Sequence, residues 1–293
     1  MDKKFIIIGI IIVSLSSLFV FLNYPENTEK TNKNITEIEN ASAEVKNLDI
    51  SKNILPNFKI GKIYEYKITP LSGFLSFQQP NLKEPDIKIN DKLYIKGIDR
   101  FNKSDCFVIV GNLTQYTQNQ LVEKEERFVC IDENGIARYF ITNIDYPGMG
   151  NHSITYYGEN ASKFLEISSF LGKFLYGEWM LHLNDNYENT FEINFTRKQL
   201  EITYSKGVPI LEEKPVDEIH KIFVSVEGRE RIQNRECFKV EVKITIESED
   251  SINKEYFRNI LYIDVKERII TDAAIYAGQP TVIQAEIKLT KAE

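Results

Sequence analysis
"RIQNRECFKVEV" at residues 231–242 and "RFNKSDCFVIVG" at residues 100–111 share one plan. Each runs from an arginine and an apolar residue through polar residues and an acid to Cys-Phe and a β-prone tail. In the later stretch Phe238, Val240, Val242, Ile244 and Ile246 alternate with Lys239, Glu241, Lys243, Thr245 and Glu247. That period of two is the mark of a strand with one buried face. Working outward, "NKEYFRNILYID", "RIITDAAIYA" and "TVIQAEIKLT" continue as further strands of an antiparallel meander, with "SEDS" as a hairpin turn. In the earlier copy Gly97 falls on Gly228, Asp105 on Glu236, Cys106 on Cys237 and Phe107 on Phe238. One residue of slippage in the hairpin loop then sets Ile131-Asp132 on Ile263-Asp264. A match that keeps register for so long is an internal duplication. "GKIYEYKI" from Gly61 also matches "GEWMLHL" from Gly177, more loosely.

The expected fold is therefore mainly β: a duplicated antiparallel-sheet unit, built as a curved sheet or two packed sheets. A helix connects the copies, because Phe164, Leu165, Phe170, Leu171, Phe174 and Leu175 recur at helical spacing behind a possible cap at Ser162. The chain divides into a cytoplasmic tip and anchor at 1–22, a polar linker at 23–55 and a first β repeat at 56–157. The connecting helix at 158–176 and a second β repeat at 177–293 complete it.

Phe5 to Leu22 is an uncharged apolar run of 18 residues, about 27 Å as a helix and near the hydrocarbon thickness of a bilayer. Lys3 and Lys4 before it keep the amino terminus in the cytoplasm and place the body outside. A cleaved signal peptide is the rival reading, but no small-x-small pair stands at the edge of the run. Residues 23–55 are too polar to form a core and read as a tether. The net charge of −7, with lysines scattered among acids, excludes a nucleic-acid partner. The abundance of Ile, Lys, Glu and Asn reflects an AT-rich genome more than a function.

The G-x-x-Y-x-Y opening at Gly61, Tyr64 and Tyr66 precedes two G-x8-C-F strand pairs, Gly97 to Phe107 and Gly228 to Phe238. With one helix added, this pattern resembles bacterial and archaeal cell-envelope proteins, the LolA/LppX-like lipoprotein-binding folds and DUF3108-type domains. The resemblance covers the body after Gly61 and suits an archaeal-type surface protein. It carries no functional residue across, and the chain lacks the lipobox cysteine of lipidated members. It implies an open, curved sheet able to hold something apolar.

No catalytic motif is present. His152, His182 and His220 are isolated, with no zinc-ligand spacing. "IDENG" at 131–135 and "SED" at 248–250 offer oxygens for calcium but read as turns. No catalytic, cofactor or metal residue is assigned, and the expected class is non-enzymatic. The leading expectation is a membrane-anchored extracytoplasmic binding protein, for a lipid-like ligand or an apolar partner segment. The alternatives are a structural spacer making only protein contacts and an extracytoplasmic hydrolase with dispersed site residues. Asn34, Asn40, Asn102, Asn112, Asn151, Asn160 and Asn194 all begin Asn-x-Ser/Thr, about twice the chance number, and are glycosylation candidates. Cys106 and Cys130 flank a hairpin centred on residue 118, so they oppose each other and form a disulfide. Tyr262 takes the place of Cys130 in the second copy and leaves Cys237 free.

Overall fold
The computed structural model describes residues 60–71, 87–101, 104–147, 150–205, 208–248, 254–278 and 282–293. The expected anchor at 5–22, the linker, and Asn34, Asn40 and Asn102 lie outside the described residues. Among the described residues, no helix is long and apolar enough to cross a membrane.

The strands are β1 (Ile63–Pro70), β2 (Ile87–Phe101), β3 (Ser104–Thr117), β4 (Gln120–Ile131), β5 (Ala137–Tyr146) and β6 (Gly150–Tyr157), followed by β7 (Glu188–Ser205), β8 (Val208–Ile232), β9 (Arg235–Ser248), β10 (Glu255–Asp264), β11 (Ile270–Ala277) and β12 (Val282–Ala292). All twelve form one antiparallel sheet in the order β6-β5-β4-β3-β2-β1-β12-β11-β10-β9-β8-β7, curled into a nearly closed barrel. The alternative of two packed sheets gives way to one, because β1 pairs with β12 from Tyr64↔Ala292 to Pro70↔Ala285 and fuses the halves. The predicted alternation sets the interior. Phe238, Val240, Val242, Ile244 and Ile246 are all buried, as are Phe107, Ile109 and Leu113 of the other half.

The duplication is visible in irregularities as well as in strand order. The β2–β3 ladder slips between Ile95 and Gly97, and the β8–β9 ladder slips between Val226 and Gly228. Both glycines carry the positive φ (145° and 141°) that only glycine adopts without strain, which explains their shared place in the two copies. The next turn repeats too. Asp132 accepts from the amides of Asn134 and Ile136, and Asp264 from those of Lys266 and Glu267. This agrees with the reading of "IDENG" as a turn: the Asp132 carboxylate accepts from its own turn and pairs with Arg138.

Three details differ from expectation. The loose match at Gly177 fails, because Glu178–His182 is a 3-10 turn and β7 starts at Glu188. The helix, α1, is Glu159–Phe170, shorter than 158–176, since Gly172 at φ 71° ends it in the left-handed region. Its N-cap is Gly158 without a side-chain cap, so Ser162 lies inside the first turn.

Cys106 and Cys130 form the expected disulfide, with Cα atoms 5.5 Å apart. The register beneath it is two residues off. Gln118 and Asn119 make the turn with φ of 51° and 65°, and a bulge at Gln115/Tyr116 brings Cys130 opposite Val108. Cys106 therefore sits diagonally from its partner. A shift of two keeps both sulfurs on one sheet face, where a shift of one would have parted them. The bond is enclosed on the outer face by Val108, Val110 and Tyr139. Cys237 is free and buried, with its sulfur 3.3 Å from the Thr271 hydroxyl. Cys106→Ser is expected to lower unfolding free energy by about 3 kcal/mol, the loop-closure value for a separation of 24 residues. Urea unfolding checks this: the deficit should vanish when both proteins are compared in reductant. A deficit that persists there would trace to side-chain packing.

Candidate functional site
The halves share the β1–β12 seam, and the pseudo-twofold relation makes β6 and β7 the corresponding second seam. These strands are the two ends of the sheet and do not pair. The connector between them fills the gap. From α1 onward, Leu165, Phe170, Leu171, Phe174, Tyr176, Trp179 and Met180 are buried in the same core as both sheet halves. Phe170 stacks on Trp179 at 4.8 Å between ring centroids, and the Trp179 indole donates to Ser169 Oγ at 2.8 Å.

Aromatic side chains floor the seam. Tyr156 of β6 stacks on Phe164 of α1 at 4.6 Å and meets Phe195 of β7 at 5.2 Å. The Tyr156 hydroxyl accepts from the Lys198 amide at 2.9 Å, and burial pushes its pKa up to about 12. Beside the seam a cleft of about 430 Å³ is lined by Asn160 and Lys163 of α1, Asn194 and Thr196 of β7, and Asp217 and Ile219 of β8.

Two equivalent positions clamp the connector from opposite halves. Arg127 of β4 corresponds to Asn259 of β10 in the duplicated alignment. Arg127 Nη1 donates to the Lys173 carbonyl at 3.2 Å, and Asn259 Nδ2 donates to the Phe170 carbonyl at 3.0 Å. Arg127 also pairs with Asp91 of β2, reaching over Gly111 of the strand between. A Cβ at Gly111 would stand 3.0 Å from Arg127 Nε, so a side chain there would press on the guanidinium and require it to shift by a few tenths of an ångström. In the other half Arg197 binds Glu218 at 2.8 Å, and His220 Nε2 lies 2.9 Å from the same carboxylate.

Other acids in this belt are poorly matched. Glu123 is fully buried, and among the described residues neither of its oxygens has a hydrogen-bond partner. Burial first, and Glu125 second, hold its pKa well above the carboxylate range. Its counterpart in the second repeat, Glu255, is pushed to about 7 by burial and then by Glu218. Lys173, from the connector, is lowered to about 8 by burial and by Arg197.

His220 corrects the reading of isolated histidines: Glu218-x-His220 puts both groups on one face of β8, a period-two signal missed by a search for zinc spacing. His152 faces Glu213 at 3.7 Å, and His182 is exposed in the 3-10 turn. Among the described residues no group of three His, Cys, Asp or Glu side chains is arranged to hold a metal ion. Of the sequons, Asn151, Asn160 and Asn194 are exposed, and Asn112 is half-buried on the outer face of β3.

No family model and no curated protein matches the chain. Among solved structures it is similar to a "putative lipoprotein" from Parabacteroides distasonis (11% identity, 82% of this chain and 98% of that one, TM-score 0.35). It is also similar to a β-barrel-like protein of the domain of unknown function DUF1849 from Brucella abortus (8% identity, 80% and 97% covered, TM-score 0.35). The hypothetical lipoprotein YmcC from Escherichia coli follows (10% identity, 82% and 87% covered, TM-score 0.30). Likeness at this level carries no function with it. The LolA/LppX-like and DUF3108-type names rest on the sequence pattern alone.

Proposed function
We infer that this is a non-enzymatic, membrane-tethered protein of the cell envelope, with its body outside the cytoplasm, that acts through contacts with other proteins. The apolar run at 5–22 and the buried Cys106–Cys130 disulfide support the location. One observation carries the choice of protein contacts: the barrel interior is occupied by its own connector, while among the described residues β6 and β7 remain as unpaired edges. Unpaired edges are ready templates for another chain. The acyl-chain groove expected beneath the sheet is where Leu165, Phe170 and Phe174 pack, so the lipid reading now ranks second.

Full-length chain bearing a photo-crosslinker at Ser153 or Asn194 tests this in its native membrane, with Lys243 on the outer face of β9 as control. Cross-links to protein from the seam positions alone are expected. Native mass spectrometry of the same preparation should show no retained lipid. A stoichiometric acyl lipid surviving detergent exchange would restore the lipid reading.

A further inference from the structure
We propose that the outer face of β1–β6 rests on the lipid bilayer, with its apolar side chains at the headgroup boundary. This rests on the membrane-tethered reading and adds how the body lies on that membrane.

The duplication supplies the comparison. Directly paired residues share a sheet face, so the ladders set Ile63, Tyr94, Val110, Phe128, Ile141 and Thr155 in one row across β1–β6. A neighbouring row holds Val108, Cys130, Tyr139 and Tyr157. Neither row carries a charge. Both lie on the outer face, where Tyr94, Phe128 and Ile141 pack over the cluster around the disulfide. The same ladder positions in the second half are Glu188, Ser225, Glu241, Ile260, Ala274 and Glu286, beside Lys239, Tyr262, Asp272 and Lys288. Charges there are answered locally, Glu241 by Lys243 and Arg258 and Glu286 by Lys288, as on a face turned to water. One unit written twice thus has an apolar outer face in one copy and a charged one in the other. Strand pairing does not require the difference, because both copies build the same ladders.

Size and the point of chain entry select the occupant. Five strand spacings of about 4.8 Å and two rows each about 7 Å deep make a strip of roughly 300 Å². A stable protein complex covers about 800 Å² on each partner, so the strip is too small to hold a second copy or a free protein. A bilayer that already tethers the chain needs far less contact, because the tether keeps its effective concentration high. The tether also joins the body at this strip. Ile60 is 59% exposed, the Gly61 amide bonds the Ile95 carbonyl at 2.8 Å beside Tyr94, and Ile63 opens the first row. Tyr94, Tyr139 and Tyr157 suit the headgroup level, where a ring can lie in the apolar layer with its hydroxyl in water.

The test reads tryptophan fluorescence of the full-length chain in phosphatidylcholine vesicles brominated near the headgroup end of their acyl chains. Trp179, buried in the core, supplies a constant background. Phe128→Trp and Tyr94→Trp place probes on the strip, and Ile260→Trp places one at the position equivalent to Phe128 in the other half. Relative to unbrominated vesicles, the added fluorescence of the two strip variants should fall by about half or more, as for groups buried roughly 5–10 Å into the boundary. The Ile260→Trp signal should not change. Adding Ile141→Glu to Phe128→Trp should remove most of the quenching while the chain still floats with the vesicles. Equal quenching at the two equivalent positions would mean that no face is preferred and would overturn the proposal. So would a strip that is unquenched and blue-shifted in vesicles, which makes protein its cover, a second copy if the shift fades on dilution. Flotation without quenching would overturn the proposal and leave the tether reading intact, whereas loss of flotation would remove both.

Discussion

Replacing Arg127 with methionine is expected to cost about 3–5 kcal/mol, the usual result of breaking a buried ion pair by removing one partner. Arg127 is 4% exposed and its partner Asp91 5%, so solvent cannot take over the lost interaction. The substitution leaves Asp91 and Glu125 enclosed without their cation, because Glu125 also faces the Arg127 charge. It frees the Lys173 carbonyl at the same time, so one end of the connector clamp is lost. Changing both partners, Arg127→Met with Asp91→Leu, should recover most of the deficit, since the uncompensated charge goes too. Urea unfolding of both variants provides the check. A double variant no better than the single one would place the loss in the connector contact.

The second large effect concerns pH. Glu123 keeps its proton in the folded protein far above the unfolded carboxyl value of about 4.3. The unfolded chain gives up that proton first and so binds fewer protons than the native state. The group's stabilising contribution is complete in acid and is lost as pH rises above about 4 toward the folded value, by about 1.4 kcal/mol per unit. Besides Glu125 on its own strand, Glu123 faces Gln115 across the β3 ladder. Glu166 and Glu255, both raised to about 7, and Asp272, raised to about 6, push in the same direction. The lowered Lys173 acts in the opposite sense only between about 8 and the unfolded lysine value of about 10.4, so it leaves the slope between pH 4 and 7 unchanged. Glu123→Gln removes one titration. It should match the wild type near pH 4 and become progressively more stable than it as pH rises toward 7. Unfolding midpoints at pH 4, 5.5 and 7 measure this. A constant difference across the three would mean that Glu123 does not hold a proton in the folded state.

Much of the fold was legible because it is written in local periodicity. Phe238 through Ile246 announced both a strand and its buried face, and the matching copy announced a repeat. The same alignment already set Arg127 on Asn259, although nothing in either residue revealed a shared connector. The Cys106–Cys130 pairing was legible despite a wrong register, because an even shift preserves the face. His220 was misread because its partner lies two positions away along a strand, a distance at which only the pleat brings side chains together. Gly177 was misread because a short apolar stretch after glycine suits a strand and a 3-10 turn equally well.

By itself the sequence determined the strands around the two Cys-Phe stretches, the inward faces of Phe107 to Leu113 and of Phe238 to Ile246, the duplication and the place of the helix. All four depend on interactions between residues close in the chain or on a pattern repeated along it. Only the tertiary structure decided that β1 closes on β12 while β6 and β7 stay apart. That outcome depends on the volume of Phe164, Phe170 and Phe174 entering the gap between the ends of the sheet. Competition between a ladder and a packed connector for the same space is settled by shape in three dimensions, which no spacing of residues along the chain records.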